Sequence, residues 1–372
     1  MAGWGLLSFL SVISGFSLVF WTLRSAIRAF ILPRNERVAL QAFVFRLTLS
    51  FFLIRLRRAN SYEQRDRVMA LYAPTTLLLI PVMYLIMVLL GYTLIFWGIG
   101  IESWKAAFIL SGSSLFTLGF AIETTYLQLI LIYSEATIGL GLVALVISYL
   151  PTMYSAFSQR EQRVAMLEVR AGDPPSAIEL LKRFNRLQRL DALDEFYSDW
   201  EQWFASIEET HTSLPALVFF RSPLPQRSWI TAAGTVLDSA AIYASCISPP
   251  RDSYRAALCI RAGYIALRHI ADFYQLEYET DVSAETPISI LFEEFVRAYQ
   301  ELVDAGLVMR QDVVSAWEDY KGWRANYDAV LLQIAQLTLA PNVKWVSDRS
   351  LTSGPLLNGV FGRIRHKMIE QA

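Results

Sequence analysis

Ser113-Ser114-Leu115-Phe116-Thr117-Leu118-Gly119-Phe120-Ala121 lies between two long apolar stretches, and its reading decides the fold. Val68 to Ile101 carries no charge, and Thr124 to Ser158 carries only Glu135. Each exceeds the roughly 20 apolar residues that cross a hydrocarbon core about 30 Å thick. Trp104 to Phe116, which ends inside the tract, is too short to cross and suits a helix that enters the membrane and stops there. Irregular backbone after such a helix is tolerated at that depth only where protein buries it or water lines it.

The whole chain agrees with a membrane class. Of its 372 residues 54% are hydrophobic and 18% charged, with positive mean hydropathy, too little charge to cover a soluble surface. A net charge of −1 excludes the basic field of a nucleic-acid binder. Cys246 and Cys259 have neither metal-ligand spacing nor a secreted disulfide pattern and read as buried thiols. His211, His269 and His366 stand far apart, outside any metalloprotease array, and His269 reads as an interfacial or core residue of a helix. Glu293-Glu294 and the group Asp191, Asp194 and Glu195 read as solvated helix faces. An enzyme, a cofactor and a resident metal are therefore not expected.

A further span is expected from Trp4 to Leu23. It has no basic residue ahead of the apolar run and no small-residue cleavage site, so it reads as retained rather than as a signal peptide. Between the first and second spans lie Arg24, Arg28, Arg34, Arg37, Arg46, Arg55, Arg57, Arg58, Arg65 and Arg67, whereas Lys105 is the only basic residue joining the second and third. Positive charge marks the cytoplasmic side, which puts the amino terminus outside, the tract on the outer side and everything after Arg160 in the cytoplasm of a cell-membrane protein. Val38 to Leu56 is apolar enough to pass for a fourth span, but crossing would leave Arg46 near mid-membrane at about 2.5–3.5 kcal/mol. An interfacial or cytosolic elbow helix is expected instead, its arginines flanking the membrane or holding anionic headgroups.

The order span, short helix, Thr117-Leu118-Gly119-Phe120 and span resembles the two-transmembrane pore-loop potassium channels, the pore module shared with inward rectifiers and two-pore-domain channels. Their T-V-G-Y-G filter replaces the hydration shell of a cation with backbone carbonyls and a threonine hydroxyl. The match covers Val68 to Arg160. It implies a selectivity filter of Thr117, Leu118, Gly119, Phe120 and Ala121, a permeating potassium or other monovalent cation as the only metal, and, with one pore unit per chain, a homotetramer in the lipid bilayer. Two positions depart from the family: Ala121 replaces the final glycine, and Ile122 replaces the acid that commonly follows, with Glu123 one place later. A Cβ penalises left-handed backbone, so Ala121 is expected to distort the outermost ion site.

The third span then corresponds to an inner pore-lining helix. Gly139 and Gly141 near its middle allow bending or close helix packing. Glu135, one turn earlier, is expensive at that depth unless it meets a partner, the pore or interfacial water. It is expected to stabilise the short helix or to attract cations. Pro151 is expected to kink the helix at the cytoplasmic mouth, and Ala171-Gly172-Asp173-Pro174-Pro175 to end it.

The expected architecture is an all-α membrane protein with three transmembrane helices, a re-entrant helix and filter, and a helical bundle. Its parts are an amino-terminal span (1–33), a basic elbow (34–67), a pore domain (68–160), a cytosolic all-α domain (161–340) and a tail (341–372). Within the cytosolic domain, helices are expected at 176–190, with Ile178, Leu181, Phe184 and Leu187 on one face, and at 191–211, 228–247, 252–274, 286–306 and 310–338. No G-x-G-x-x-G occurs and strand signals are few, so no regulatory ligand can be named. The functional expectation is a homotetrameric, potassium-conducting channel that the helical domain assembles or gates. The alternative is a non-conducting membrane-anchored sensor or interaction protein.

Overall fold

The computed structural model describes residues 2–30, 38–247, 254–283 and 285–349. Arg34, Arg37, His366 and the tail from residue 350 lie outside these residues. Among the described residues the chain is all-helical, with no strand beyond a single bridge between Ile247 and Met309. It divides into two compact units. One comprises Met1–Arg57 and Leu71–Ser155, the other Arg58–Ala70 and Ala156–Ala372.

The first unit is built on α1 (Ala2–Phe30), α2 (Ala39–Leu56), α4 (Tyr72–Gly98), α5 (Trp104–Leu115) and the beginning of α6 (Tyr126–Ala171). Four described helices are long and apolar enough to cross a membrane, as in a membrane-embedded protein: α1, α2, α6 and the helical stretch Tyr62–Gly98, whose apolar part is α4. α1 and α4 pack antiparallel. Ser11 Oγ donates to the Leu94 carbonyl at 2.7 Å, Gly15 backs onto Gly91, and Ser25 Oγ meets Tyr84 Oη at 3.1 Å, so numbering rises along one helix as it falls along the other. α2 meets α4 at that helix's first turns, where Tyr72 Oη donates to the Phe45 carbonyl and Thr76 Oγ1 to Thr48 Oγ1. Its other face carries exposed Phe43, Leu47, Phe51 and Ile54, an apolar stripe at helical spacing.

The expected elbow is two helices rather than one. α2 stops at Leu56, and α3 (Tyr62–Ala70) belongs to the second unit, where Arg221 reaches Asp66 and the Tyr62 hydroxyl and also donates to the Thr338 and Leu339 carbonyls. The second long apolar helix accordingly starts at Tyr72 and not Val68. α6 runs through Pro151 to Ala171, and Gly172, with φ +84°, ends it where the Gly-Asp-Pro run led us to expect.

The second unit continues with α7 (Ala177–Arg186), α8 (Leu193–Ser213), α9 (Trp229–Cys246), α10 (Tyr254–Tyr274), α11 (Phe292–Asp304), α12 (Val313–Ala325) and α13 (Asp328–Leu337). α9 is its axis and is almost wholly buried, and both cysteines sit unpaired in the core. Three expectations need correction. α7 ends before Leu187, which is exposed, and Leu180 takes its place in the core. The helix expected at 310–338 breaks at Asn326-Tyr327. Around that break Arg324 and the Tyr327 hydroxyl both reach the buried Asp238, and Asp328 pairs with the same Arg324, so the buried charges are closed on one another. His269 is an exposed residue, its Nδ1 2.6 Å from Glu208 Oε1.

Candidate functional site

α5 begins five residues beyond α4, with Ser103 capping it by accepting from the Ala106 amide at 3.1 Å. Its far end reaches back alongside α4, where Ser111 Oγ lies 3.0 Å from the Leu89 carbonyl oxygen. Leu89 lies nine residues before the end of α4, a depth of about 14 Å at 1.5 Å per residue. The expected bounds of this helix are met within a residue.

The tract follows from how α5 terminates. The Thr117 amide donates to the Ser114 carbonyl at 2.9 Å and the Leu118 amide to the Ser113 carbonyl at 2.8 Å. This is the Schellman pattern, which needs a left-handed residue between the two and normally uses glycine there. α4 follows that rule with Gly100, at φ +106°. α5 instead places Thr117 in the left-handed region at φ +53°, a β-branched residue where its Cβ is penalised by about 1–2 kcal/mol. Gly119 is left-handed again at φ +71°. No described hydrogen bond is accepted by the carbonyls of Thr117, Leu118, Gly119 or Phe120. In the single chain these residues are exposed, as are Phe116 and Ile122.

Ala121 does not behave as expected. It is not in the left-handed region, so its Cβ meets no backbone penalty there. Its amide donates to Ser113 Oγ at 3.1 Å, and its carbonyl faces the same hydroxyl at 3.4 Å.

Behind the loop, α6 holds α5. Glu135 is fully buried and accepts from Ser111 Oγ at 2.5 Å, while Ser114 Oγ donates to the Ile132 carbonyl at 2.7 Å. Glu135 therefore sits against α5 rather than in water at a membrane surface. Gly139 is a close-packing position, because a Cβ there would collide with the Leu115 carbonyl. Gly141 has open space around it and is exposed, and Pro151 lies three turns farther along, so neither is brought to the loop.

Sequence reasoning missed the three serines of the last turns of α5. The available signal was Ser111-Gly112-Ser113-Ser114 in an otherwise apolar short helix, since hydroxyls at membrane depth need partners. It also missed the buried charges of the second unit, among them Arg160, which contacts His211 Nε2 and donates to the Leu217 and Phe220 carbonyls. Among the described residues no group of three or more His, Cys, Asp or Glu is placed to hold a metal.

Compared with family models, with curated proteins and with solved structures, the chain matches none.

Proposed function

We propose that the chain is one subunit of a homotetrameric membrane cation channel, potassium-conducting, with Thr117-Leu118-Gly119-Phe120-Ala121 as its filter. The observation that carries this reading is the run of carbonyls from Thr117 to Phe120, none of which accepts a hydrogen bond among the described residues. It follows a helix whose end reaches some 14 Å back along α4. At membrane depth such backbone must be enclosed by protein or line water, and one copy of the chain does not enclose it. Copies arranged around an axis do both, giving a cation a ring of carbonyls at each level. The C-terminal end of α5, partially negative, adds to the attraction.

On this reading α1, α4 and α6 cross the membrane, α5 re-enters, and α2 does not complete a crossing. The support is directional. α1 and α4 are antiparallel, so the chain leaves one and enters the other on the same side, which a single crossing by α2 would contradict. Arginine placement then makes that side cytoplasmic in a cell membrane, with the helical second unit inside to assemble or gate the pore. A second reading, a membrane-anchored sensor without conduction, draws on a cleft of about 490 Å³ between α6 and α8, lined by Gln159, Arg163 and Gln202 together with apolar Met166, Trp203 and Ile207.

The test is reversal potential in planar bilayers of purified protein under a potassium-to-sodium gradient, with Gly119→Ala beside it. Gly119 has no neighbour within 4 Å, so the substitution adds backbone strain without a clash, about 1 kcal/mol or more. We expect reversal near the potassium value in the wild type and its loss in Gly119→Ala. A protein that is silent and does not form tetramers sinks the channel reading in favour of the sensor.

A further inference from the structure

Resting on the pore-loop reading, we infer that Ser113 is a positioning residue that sets the outer limit of the carbonyl row and allows alanine to stand at position 121. The Ser113 main-chain carbonyl accepts from the Leu118 amide at 2.8 Å and the Gly119 amide at 3.4 Å. Its hydroxyl accepts from the Ala121 amide at 3.1 Å and donates to the Ala121 carbonyl at 3.4 Å. A serine hydroxyl has one donor and two acceptor positions, so it performs both tasks at once. One residue of α5 therefore grips both ends of the segment from Leu118 to Ala121.

Two consequences follow for the row. The Ala121 carbonyl is turned onto Ser113 while those of Thr117 to Phe120 accept no hydrogen bond among the described residues, so the row ends at Phe120. The Ala121 backbone is also held outside the left-handed region, which removes the need for glycine there. The departure from the glycine expected at this position and the serine beneath it are thus a matched pair. Ser111 and Ser114 serve different purposes, since their hydroxyls face Glu135, Leu89 and Ile132 of the flanking helices.

The experiment uses the full-length protein in detergent and in bilayers, comparing wild type, Ser113→Ala, Ser113→Thr and Ser113→Ala with Ala121→Gly. The first readout is amide exchange of the peptide spanning 117–123, with α9 peptides as the fold control. Loss of the hydroxyl should speed exchange at Ala121 about tenfold, the size of one net hydrogen bond, while Ser113→Thr restores protection. The second readout is the potassium-to-sodium permeability ratio, expected to fall several-fold in Ser113→Ala and to recover in Ser113→Thr. Unchanged exchange in Ser113→Ala overturns the grip whatever the currents do. Faster exchange with an unchanged ratio overturns its role in selectivity. A wild type that carries no current removes the pore-loop reading and this inference with it, while the exchange data still decide whether the grip exists.

Discussion

In the first unit the buried polar side chains are mostly hydroxyls leaning on helix carbonyls, as Ser11 does on Leu94, Thr93 on Leu89 and Ser114 on Ile132. In the second, whole charges are buried beside the hydroxyls: Asp66, Arg160, Asp238, Arg324 and Asp328. Arg324, with no exposed surface, donates to Asp238 at 2.5 Å, to Asp328 at 2.7 Å and to the Trp345 carbonyl at 2.7 Å, while the Tyr327 hydroxyl and Ser289 complete the two carboxylates. The difference follows from what surrounds each unit. A hydroxyl can share a carbonyl that already serves its own helix, so it needs no charged partner in an apolar bundle. A buried guanidinium is tolerable only inside a closed set of carboxylates and carbonyls. Glu135 is the exception in the first unit, and it is met by a hydroxyl, not by a cation.

The sharpest way to break the comparison is Arg324→Met. It leaves Asp238 and Asp328 buried without their counter-charge, and we expect the second unit to lose about 3–5 kcal/mol. Amide exchange should report this in α9, α12 and α13, with α1 and α4 still protected. Replacing Asp238 and Asp328 by apolar residues in the same protein should recover most of the loss, because a well-packed apolar set is often as stable as the ion pairs it replaces. If Arg324→Met is silent in α9, the charges do not organise this core.

A smaller effect separates two glycines that look alike in the sequence. Gly139→Ala puts a methyl against the Leu115 carbonyl and should destabilise the seat of α5 by about 1–3 kcal/mol, an overpacking effect. Gly141→Ala meets nothing within 4 Å and should be neutral or stabilising by up to about 1 kcal/mol, the helix-propensity gain over glycine. Thermal unfolding in detergent checks both. Equal losses at the two sites would mean that the α5–α6 contact is not the close one described.

How much of this was legible depended on whether a signal was local. The ends of α5 and α6 were readable, because a short run from Trp104 between two longer apolar stretches and a Gly172-Asp173-Pro174-Pro175 stop are local features. That Glu135 meets the short helix was expected, but its partner Ser111 was not readable, since the contact joins residues 24 apart through the packing of two helices. The break at Asn326-Tyr327 was invisible because helix periodicity runs through it, and the carboxylate that Arg324 and Tyr327 reach, Asp238, lies on another helix. Ala121 was misread for the same reason: a glycine rule applied to one position takes no account of Ser113, eight residues earlier.

The gentlest probe of the comparison is pH, read in the second unit. His211 is buried in α8, with Nε2 3.2 Å from Arg160 Nη1, Nδ1 3.1 Å from Thr210 Oγ1 and its ring against Trp229. Arg160 can only donate, so Nε2 carries the lone pair and the imidazole is neutral. Burial, and then the charge of Arg160, hold its pKa well below the ordinary histidine value. In the unfolded chain the same ring takes up a proton near pH 6.5. As pH falls below that value the unfolded state binds a proton the folded state refuses, so the second unit loses stability progressively. Glu294, held below the usual carboxylate range chiefly by its hydrogen bonds from Arg349, contributes in the same direction, but only as pH falls below about 4.3. The share of His211 is read from the difference between wild type and His211→Gln in denaturation midpoints between about pH 7 and pH 5. His211→Gln should flatten the profile there while keeping an acceptor for Arg160, and a slope that survives this substitution would place the titrating group elsewhere in the unit.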